Sequence, residues 1–178
     1  LAIVSICLLC PWLSPYDPYE IGASEPFLGP NRVNWLGTDD LGRDLLSRIL
    51  YGGRITILVA IAATVIALII GTAWGLAAGV RRGWLDEALM RTADATMAIP
   101  QILFGLVCIS AVGASVISLP IVVGFLLSPT TARMARSAVV TELSSQYVVA
   151  AQASGFTRTR LIWSEVMPNI APQLLVQL

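Results

Sequence analysis

Few side chains in this sequence could do chemistry, and their types exclude most of it. Cys7 and Cys10 form a C-x-x-C, and Cys108 is the third cysteine. Two cysteines one helical turn apart, with no second pair, make a poor metal site. All three stand in apolar stretches and read as small apolar residues facing lipid or a neighbouring helix. All eleven basic residues are arginine; lysine and histidine are absent. Without lysine, a Walker A loop lacks the residue that reaches the β- and γ-phosphates. Without histidine, there is no Ser-His-Asp triad, no H-E-x-x-H metal site and no imidazole acid or base. The sequence therefore predicts no enzyme, no metal and no cofactor of its own. Its net charge of zero predicts no nucleic-acid partner.

Most of the charged residues fall in three clusters. The first is Thr38-Asp-Asp-Leu-Gly-Arg-Asp-Leu-Leu-Ser-Arg48. Asp39–Arg43 and Asp44–Arg48 are i,i+4 pairs with the acid first, the better order on a helix. Thr38 suits an N-cap, and Asp39 and Asp40 suit the positive helix end. With Leu41, Leu45 and Ile49 recurring every four residues, the pattern predicts an amphipathic surface helix over 39–51, ended by Gly52 and Gly53. Asp39, Asp40, Arg43, Asp44 and Arg48 are its candidate functional charges. The second cluster is Arg81, Arg82, Asp86, Glu87, Arg91 and Asp94. The third is Arg133 and Arg136 followed by Arg158 and Arg160.

The elements between these clusters must be dissolved in lipid. The chain is 56% hydrophobic and only 12% charged, against about 25% charged for soluble domains, and its mean hydropathy is +0.78. Residues 1–13 read as the end of a first span, and 14–54 as a polar, proline-rich extracytoplasmic loop. Spans are expected at about 55–80, 95–113 and 116–132, with another starting at 170. The chain thus reads as a fragment cut inside an apolar segment at each end. Gly71, Gly75 and Gly79 lie on one face of the 55–80 span and let another helix approach closely. That partner could belong to this chain or to another. Arginine in the short loops after residue 80 and after residue 132 puts both loops in the cytoplasm. No charge lies within 55–80 or 95–132, whereas ion-coupled carriers usually bury Asp, Glu or His.

The cytoplasmic segment 142–169 is patterned differently. Val148, Val149, Ala150, Ala151 and Ala153 form a small-residue helix, broken by Gly155. A second short helix, roughly Thr157 to Val166, carries Arg158, Arg160 and Trp163, and Pro168 stops it and can start the next span. A small-residue surface flanked by aromatic and arginine anchors suits docking of a partner. It suits equally a loop that caps its own bundle.

The wording of this segment resembles a known family. Ala150-Ala151, then Gly155, then Met167-Pro168, is similar to the EAA loop of ABC-importer permeases. The string Tyr147 to Gly155 with Pro168-Asn169 resembles the dipeptide, oligopeptide and nickel branch. So does Leu36 to Ile55, which is similar to the outer-loop signature of that branch's second permease type. Gly83 to Glu87, Met90-Arg91 and Ala98-Ile99-Pro100 fit as well. Two positions depart: Val149 stands where the general pattern is acidic, and Gln146 where this branch often has Glu. The resemblance implies an all-α polytopic transmembrane bundle of about six spans in the bacterial inner membrane. It implies a peptide-transport permease working with a second permease subunit, cytoplasmic ABC ATPases that bind the ATP, and an extracytoplasmic solute-binding protein. The coupling role falls on Gln146, Tyr147, Ala150, Ala151, Gly155, Arg158 and Pro168. The alternatives are an ion-coupled secondary transporter or a membrane assembly protein that transports nothing.

Overall fold

The computed structural model describes residues 2–14 and 16–176 of the chain. Leu1, Pro15, Gln177 and Leu178, which fall in the expected first span, outer loop and final segment, lie outside the described residues. The fold is all-α: 73% of the described residues are helical, and they hold no strand, only an isolated bridge between Thr38 and Asp44. The helices are α1 (Ala2–Leu8), α2 (Cys10–Leu13), α3 (Leu45–Arg81), α4 (Trp84–Ala98), α5 (Gln101–Val112), α6 (Ser118–Leu143), α7 (Gln146–Ala153), α8 (Arg158–Leu161) and α9 (Met167–Val176). A π-helical turn, Ile162–Val166, joins α8 to α9. Two compact units, Leu1–Ile61 and Ala62–Leu178, meet inside α3.

In the first unit the expected surface helix over 39–51 is replaced by a turn followed by the start of α3. Asp39 accepts the backbone N–H groups of Leu41 (2.9 Å) and Arg43 (3.0 Å), an aspartate turn that competes with helix. Gly42 then adopts φ +70°, on the left-handed side that ends regular structure. The helix starts instead after Asp44, whose carboxylate accepts Ser47 N–H at 2.8 Å as an N-cap. Nor do Gly52 and Gly53 end it, since α3 runs unbroken to Arg81. The i,i+4 logic holds for one pair and fails for the other. Arg43 bonds Asp39 at 2.7 Å. Arg48 also turns to Asp39, leaving Asp44 buried against Asn34 (3.0 Å) and Ser47. Cys7 and Cys10 are buried free thiols, and Cys7 Sγ packs against Gly53.

Burial opposes the charge on Asp39, but the Arg43 and Leu41 N–H groups and the Arg43 and Arg48 guanidiniums outweigh it. They hold the carboxyl well below the usual carboxylate range. A lowered folded-state value means the contribution is present above the unfolded value of about 3.9 and is lost as pH falls through the folded one. Amide exchange at Leu41 and Arg43, corrected for intrinsic rates, should therefore not change between pH 7 and pH 5. Asp39→Asn should raise it roughly tenfold at both pH values, the equivalent of one charge-assisted hydrogen bond. Hydrogen-exchange mass spectrometry reads both outcomes.

One helix among the described residues is long and apolar enough to cross a bilayer alone, Leu45–Arg81. Its 37 residues span about 55 Å at 1.5 Å per residue, more than the hydrocarbon core of roughly 30 Å. A second candidate is the α4–α5 pair, bent by 89° at the break. The break falls at Ile99-Pro100 because proline cannot donate to the helix ladder and biases the residue before it to extended backbone. The expected span over 95–113 is thus divided, and its first residues belong to a helix that begins at Trp84. The segment over 116–132 belongs to a longer helix, α6, which runs on through Pro129 to Leu143. Pro129 leaves the carbonyl of Phe125 without its i+4 N–H, and the buried hydroxyl of Ser128 donates to that oxygen at 2.7 Å.

In the second unit α3 and α6 lie side by side and run the same way. The contact passes from Ala63 and Ile66 against Gly124, through Gly71 against Ser128 and Thr131 and Gly75 against Ala132 and Ala135, to Gly79 against Val139. The partner of the glycine stripe is therefore a helix of this same chain. Small residues face inward, while Val65, Ile69, Ile121 and Phe125 point out. That inversion of the soluble-protein pattern suits helices held by close backbone packing in lipid. Because the two helices are parallel, the Arg81–Gly83 connection and the α7 segment emerge at the same end.

Candidate functional site

At that end α6 stops at Leu143, and a two-residue turn, Ser144-Ser145, delivers α7. Helix α7 is only eight residues long, too short to be stable alone, so its packing must hold it. Val148 is its buried residue and joins a core with Ala135 and Val139 of α6, Leu161, Val166, and Ile170 and Leu174 of α9. Burying one such side chain is worth roughly 1.5–3 kcal/mol.

The helix ends in a Schellman motif. Phe156 N–H reaches Ala151 O (3.2 Å) and Gly155 N–H reaches Gln152 O (3.0 Å), with Gly155 at φ +86°. Ala151 and Phe156, the apolar pair this motif commonly brings together, both pack against the core. Thr157 caps α8, accepting Arg160 N–H. The guanidinium of Arg160 lies 4.5 Å from the Phe156 ring centroid.

Pro168 does not stop the second helix. Helix α8, the π turn and α9 form one continuous rod from Arg158 to Val176. Met167 N–H bonds Ile162 O, five residues back. This widened turn directly precedes Pro168 and accommodates a residue that has no N–H and would crowd a regular helix.

The residues singled out from the sequence divide into three groups. Gln146, Ala150, Gly155 and Pro168 are exposed. Together with Val149 (54% exposed), Gln152 and Ala153, the first three make a small, open surface on α7 and its turn. Ala151 is half-buried and faces the core. Arg158 is engaged within the chain, donating to the carbonyl of Val80 near the end of α3, where a cation complements the helix dipole.

Tyr147 is tied down as well, and here the structure gives a role to two residues, Glu142 and Asn169, to which the sequence assigned none. Its hydroxyl donates to Glu142 Oε1 and accepts from Asn169 Nδ2 at 2.7 Å. Asn169 Nδ2 also reaches Glu142 Oε1 at 3.2 Å. Burial first, and then the Glu142 carboxylate, push the phenol above its ordinary value, so it stays a donor at neutral pH. Glu142 and Asn169 bound the segment in sequence, but no local periodicity links residues so far apart.

Beneath this site the second and third charge clusters meet. Arg136 of α6 makes a forked pair with Asp86 of α4, Nη2 to Oδ2 at 2.6 Å. The Arg136 guanidinium holds Asp86 below the usual carboxylate range, and Asp86 in turn raises Arg136. Arg133 lies 3.4 Å from Asp94, and Arg91 lies 3.2 Å from Glu87. The Arg136–Asp86 and Arg133–Asp94 pairs brace α4 against α6, while Arg91–Glu87 lies within α4. Among the described residues, no group of three or more Cys, Asp or Glu is placed to hold a metal.

An all-α fold with closely packed small-residue helices, carrying a short small-residue helix between two longer ones, is consistent with a membrane permease fold. The chain belongs to the family described as the binding-protein-dependent transport system inner membrane component, whose profile matches residues 71–178. It is 36% identical to the di/tripeptide transport system permease protein DppC of Pseudomonas aeruginosa, over 99% of this chain and 60% of that protein. It is 32% identical to the dipeptide transport system permease protein DppC of Alkalihalophilus pseudofirmus, covering 99% and 58%. It is also 32% identical to the oligopeptide transport system permease protein OppC of Bacillus subtilis, covering 98% and 57%. The chain thus spans about three-fifths of the length of these curated relatives. Proteins of this family are permeases, not enzymes, and carry no cofactor of their own.

Proposed function

We propose that the chain is part of one of the two transmembrane subunits of an ATP-driven importer for peptides or related small solutes. In this reading a separate cytoplasmic ABC ATPase docks on the exposed face of α7 and the Gly155 elbow. The single observation that carries it is the split character of α7. Val148 anchors the helix in the core, while Val149, Ala150, Gln152 and Ala153 stand exposed without a partner within the described fold. A helix of small residues lets a partner approach to backbone distance, and the bundle holds it ready before the partner arrives.

The names of the relatives support peptides as the cargo class. The arginines flanking α3 and α6 support a cytoplasmic position for α7 and a multi-pass arrangement in the bacterial inner membrane. The loop 14–44, with Asp39, Asp40 and Arg43, then faces outward, together with Arg48 on the first turn of α3, where an extracytoplasmic binding protein would deliver its solute. ATP hydrolysis moves the docked helix, and α6 and α9, which share its core, move with it.

Cysteine crosslinking tests the reading. In the full-length protein with Cys7, Cys10 and Cys108 replaced, Ala150→Cys and Ala153→Cys should crosslink to the ABC ATPase coexpressed with it. Val148→Cys, whose site is buried, should not. Crosslinks from Ala150→Cys and Ala153→Cys only to lipid, or only to the protein's own helices, would overturn the docking role.

A further inference from the structure

We propose that Glu142, Tyr147 and Asn169 form a positioning strut that passes displacement of α7 to α6 and α9. The proposal rests on the docking reading above and adds to it the identity of the side chains that transmit the motion.

Three helices meet in this cluster. Glu142 lies in the last turn of α6, Tyr147 in the first turn of α7, and Asn169 in the first turn of α9. Every bond in the triangle has a proton to make it. The phenol proton goes to Glu142 Oε1, and the two amide protons of Asn169 serve Tyr147 Oη (2.7 Å) and Glu142 Oε1 (3.2 Å). The carboxylate makes two of these bonds charge-assisted, which are roughly twice as strong as neutral ones.

The rest of the attachment of α7 has a different character. Val148 is fully buried, but hydrophobic contact is non-directional and lets the helix pivot or slide about it. The Gly155 elbow has open space around it, and the Ser144-Ser145 turn is bonded through its hydroxyls to the end of α6, Ser144 Oγ to Thr141 O and Ser145 Oγ to Glu142 O, each at 2.7 Å. Hydrogen bonds, in contrast, weaken steeply with angle. The strut adds to that turn a directional tie of α7 to α9 through Asn169 and a second one to α6 through Glu142. Its place at the N-terminal root of α7, with the exposed small-residue face beyond it, makes α7 a lever with a bonded hinge.

Tyr147→Phe and Asn169→Ala remove the bonds without removing buried apolar volume. The test uses the full-length protein with its ATPase and second subunit in proteoliposomes. Hydrogen exchange in the ATPase-free protein should rise about tenfold over 146–153 in Tyr147→Phe, with no further rise on adding Asn169→Ala. Solute transported per ATP should fall at least fivefold in both variants, while the ATPase still copurifies and Glu142→Gln, which keeps an acceptor oxygen, recovers most of the ratio. Unchanged exchange would overturn the strut itself. Looser α7 with an unchanged transport-to-ATP ratio would overturn its transmitting role and leave docking intact. An ATPase that fails to copurify even with the wild-type protein would sink the docking reading and the strut with it.

Discussion

Gly75→Leu is expected to leave no folded protein in the membrane, and Gly75→Ala to lose about 1–3 kcal/mol, the usual cost of forcing extra volume into a packed core. A Cβ at residue 75 would press on the backbone carbonyl of Ala132, sit 2.7 Å from Ala135 Cβ and lie 2.8 Å from Arg136 N. Two of these three atoms belong to the α6 backbone, so no side chain can turn aside. The helices would have to separate along their length, and the Arg136–Asp86 brace and the Val139 contact lie just beyond. Gly79→Ala should cost less, because its Cβ meets mainly the Val139 side chain, with Cγ1 at 2.9 Å. Gly52→Ala, with nothing within 4 Å, should be neutral or stabilising by up to about 1 kcal/mol through helix propensity. Thermal unfolding of the full-length protein in detergent orders the three alanine variants, and the amount of folded protein recovered from the membrane reads Gly75→Leu. Equal stability of Gly75→Ala and Gly52→Ala would mean that α3 and α6 do not touch along this stripe.

The second large effect is expected at Gly155. Its φ of +86° lies where an L-residue costs roughly 1–2 kcal/mol, and a β-branched one more. No atom lies within 4 Å of where a Cβ would stand, so within this chain the cost is backbone alone. Gly155→Val should unwind the Schellman turn and tilt α7. Transport should fall more than tenfold, with ATPase activity retained and the protein still inserted. Gly155→Asn, which tolerates the left-handed region, should keep most of the activity if the elbow's shape is what matters. If both variants fail equally with hydrogen exchange over 146–153 unchanged, the added side chain is meeting a docked partner at the elbow. Wild-type transport by Gly155→Val, measured in proteoliposomes, would show that the elbow plays no part in coupling.

Both effects concern features visible in the residue pattern, yet for each the structure supplied the decisive half. The i,i+4 spacing of Gly71, Gly75 and Gly79 predicts close packing on one face of a helix, because periodicity is a local property. Which helix fills that face is a long-range fact, and α6 is contributed from about sixty residues further on. At 39–51 the same local reasoning misplaced the helix start. The charge spacing was helical, but Asp39 satisfied nearby N–H groups with its own carboxylate, and Gly42 took a positive φ. Local side-chain bonds of this kind compete with the helix ladder on nearly equal terms. At Pro168 the expected stop became a π turn, because a helix whose Val166 and Ile170 are buried in a shared core keeps its backbone bonded and widens around the proline.

By itself, the sequence determined the apolar character of this chain, its family and the position of the small-residue segment along it. All of these depend on composition and short-range spacing. Tertiary structure alone decided that the glycine stripe is satisfied within the chain, that Arg158 donates to a carbonyl near the end of α3, and that Glu142 and Asn169 converge on Tyr147. Those outcomes depend on which distant side chains arrive at the same few ångströms. Hydrogen bonds and steric contacts act only at that range, and no periodicity along the chain encodes it.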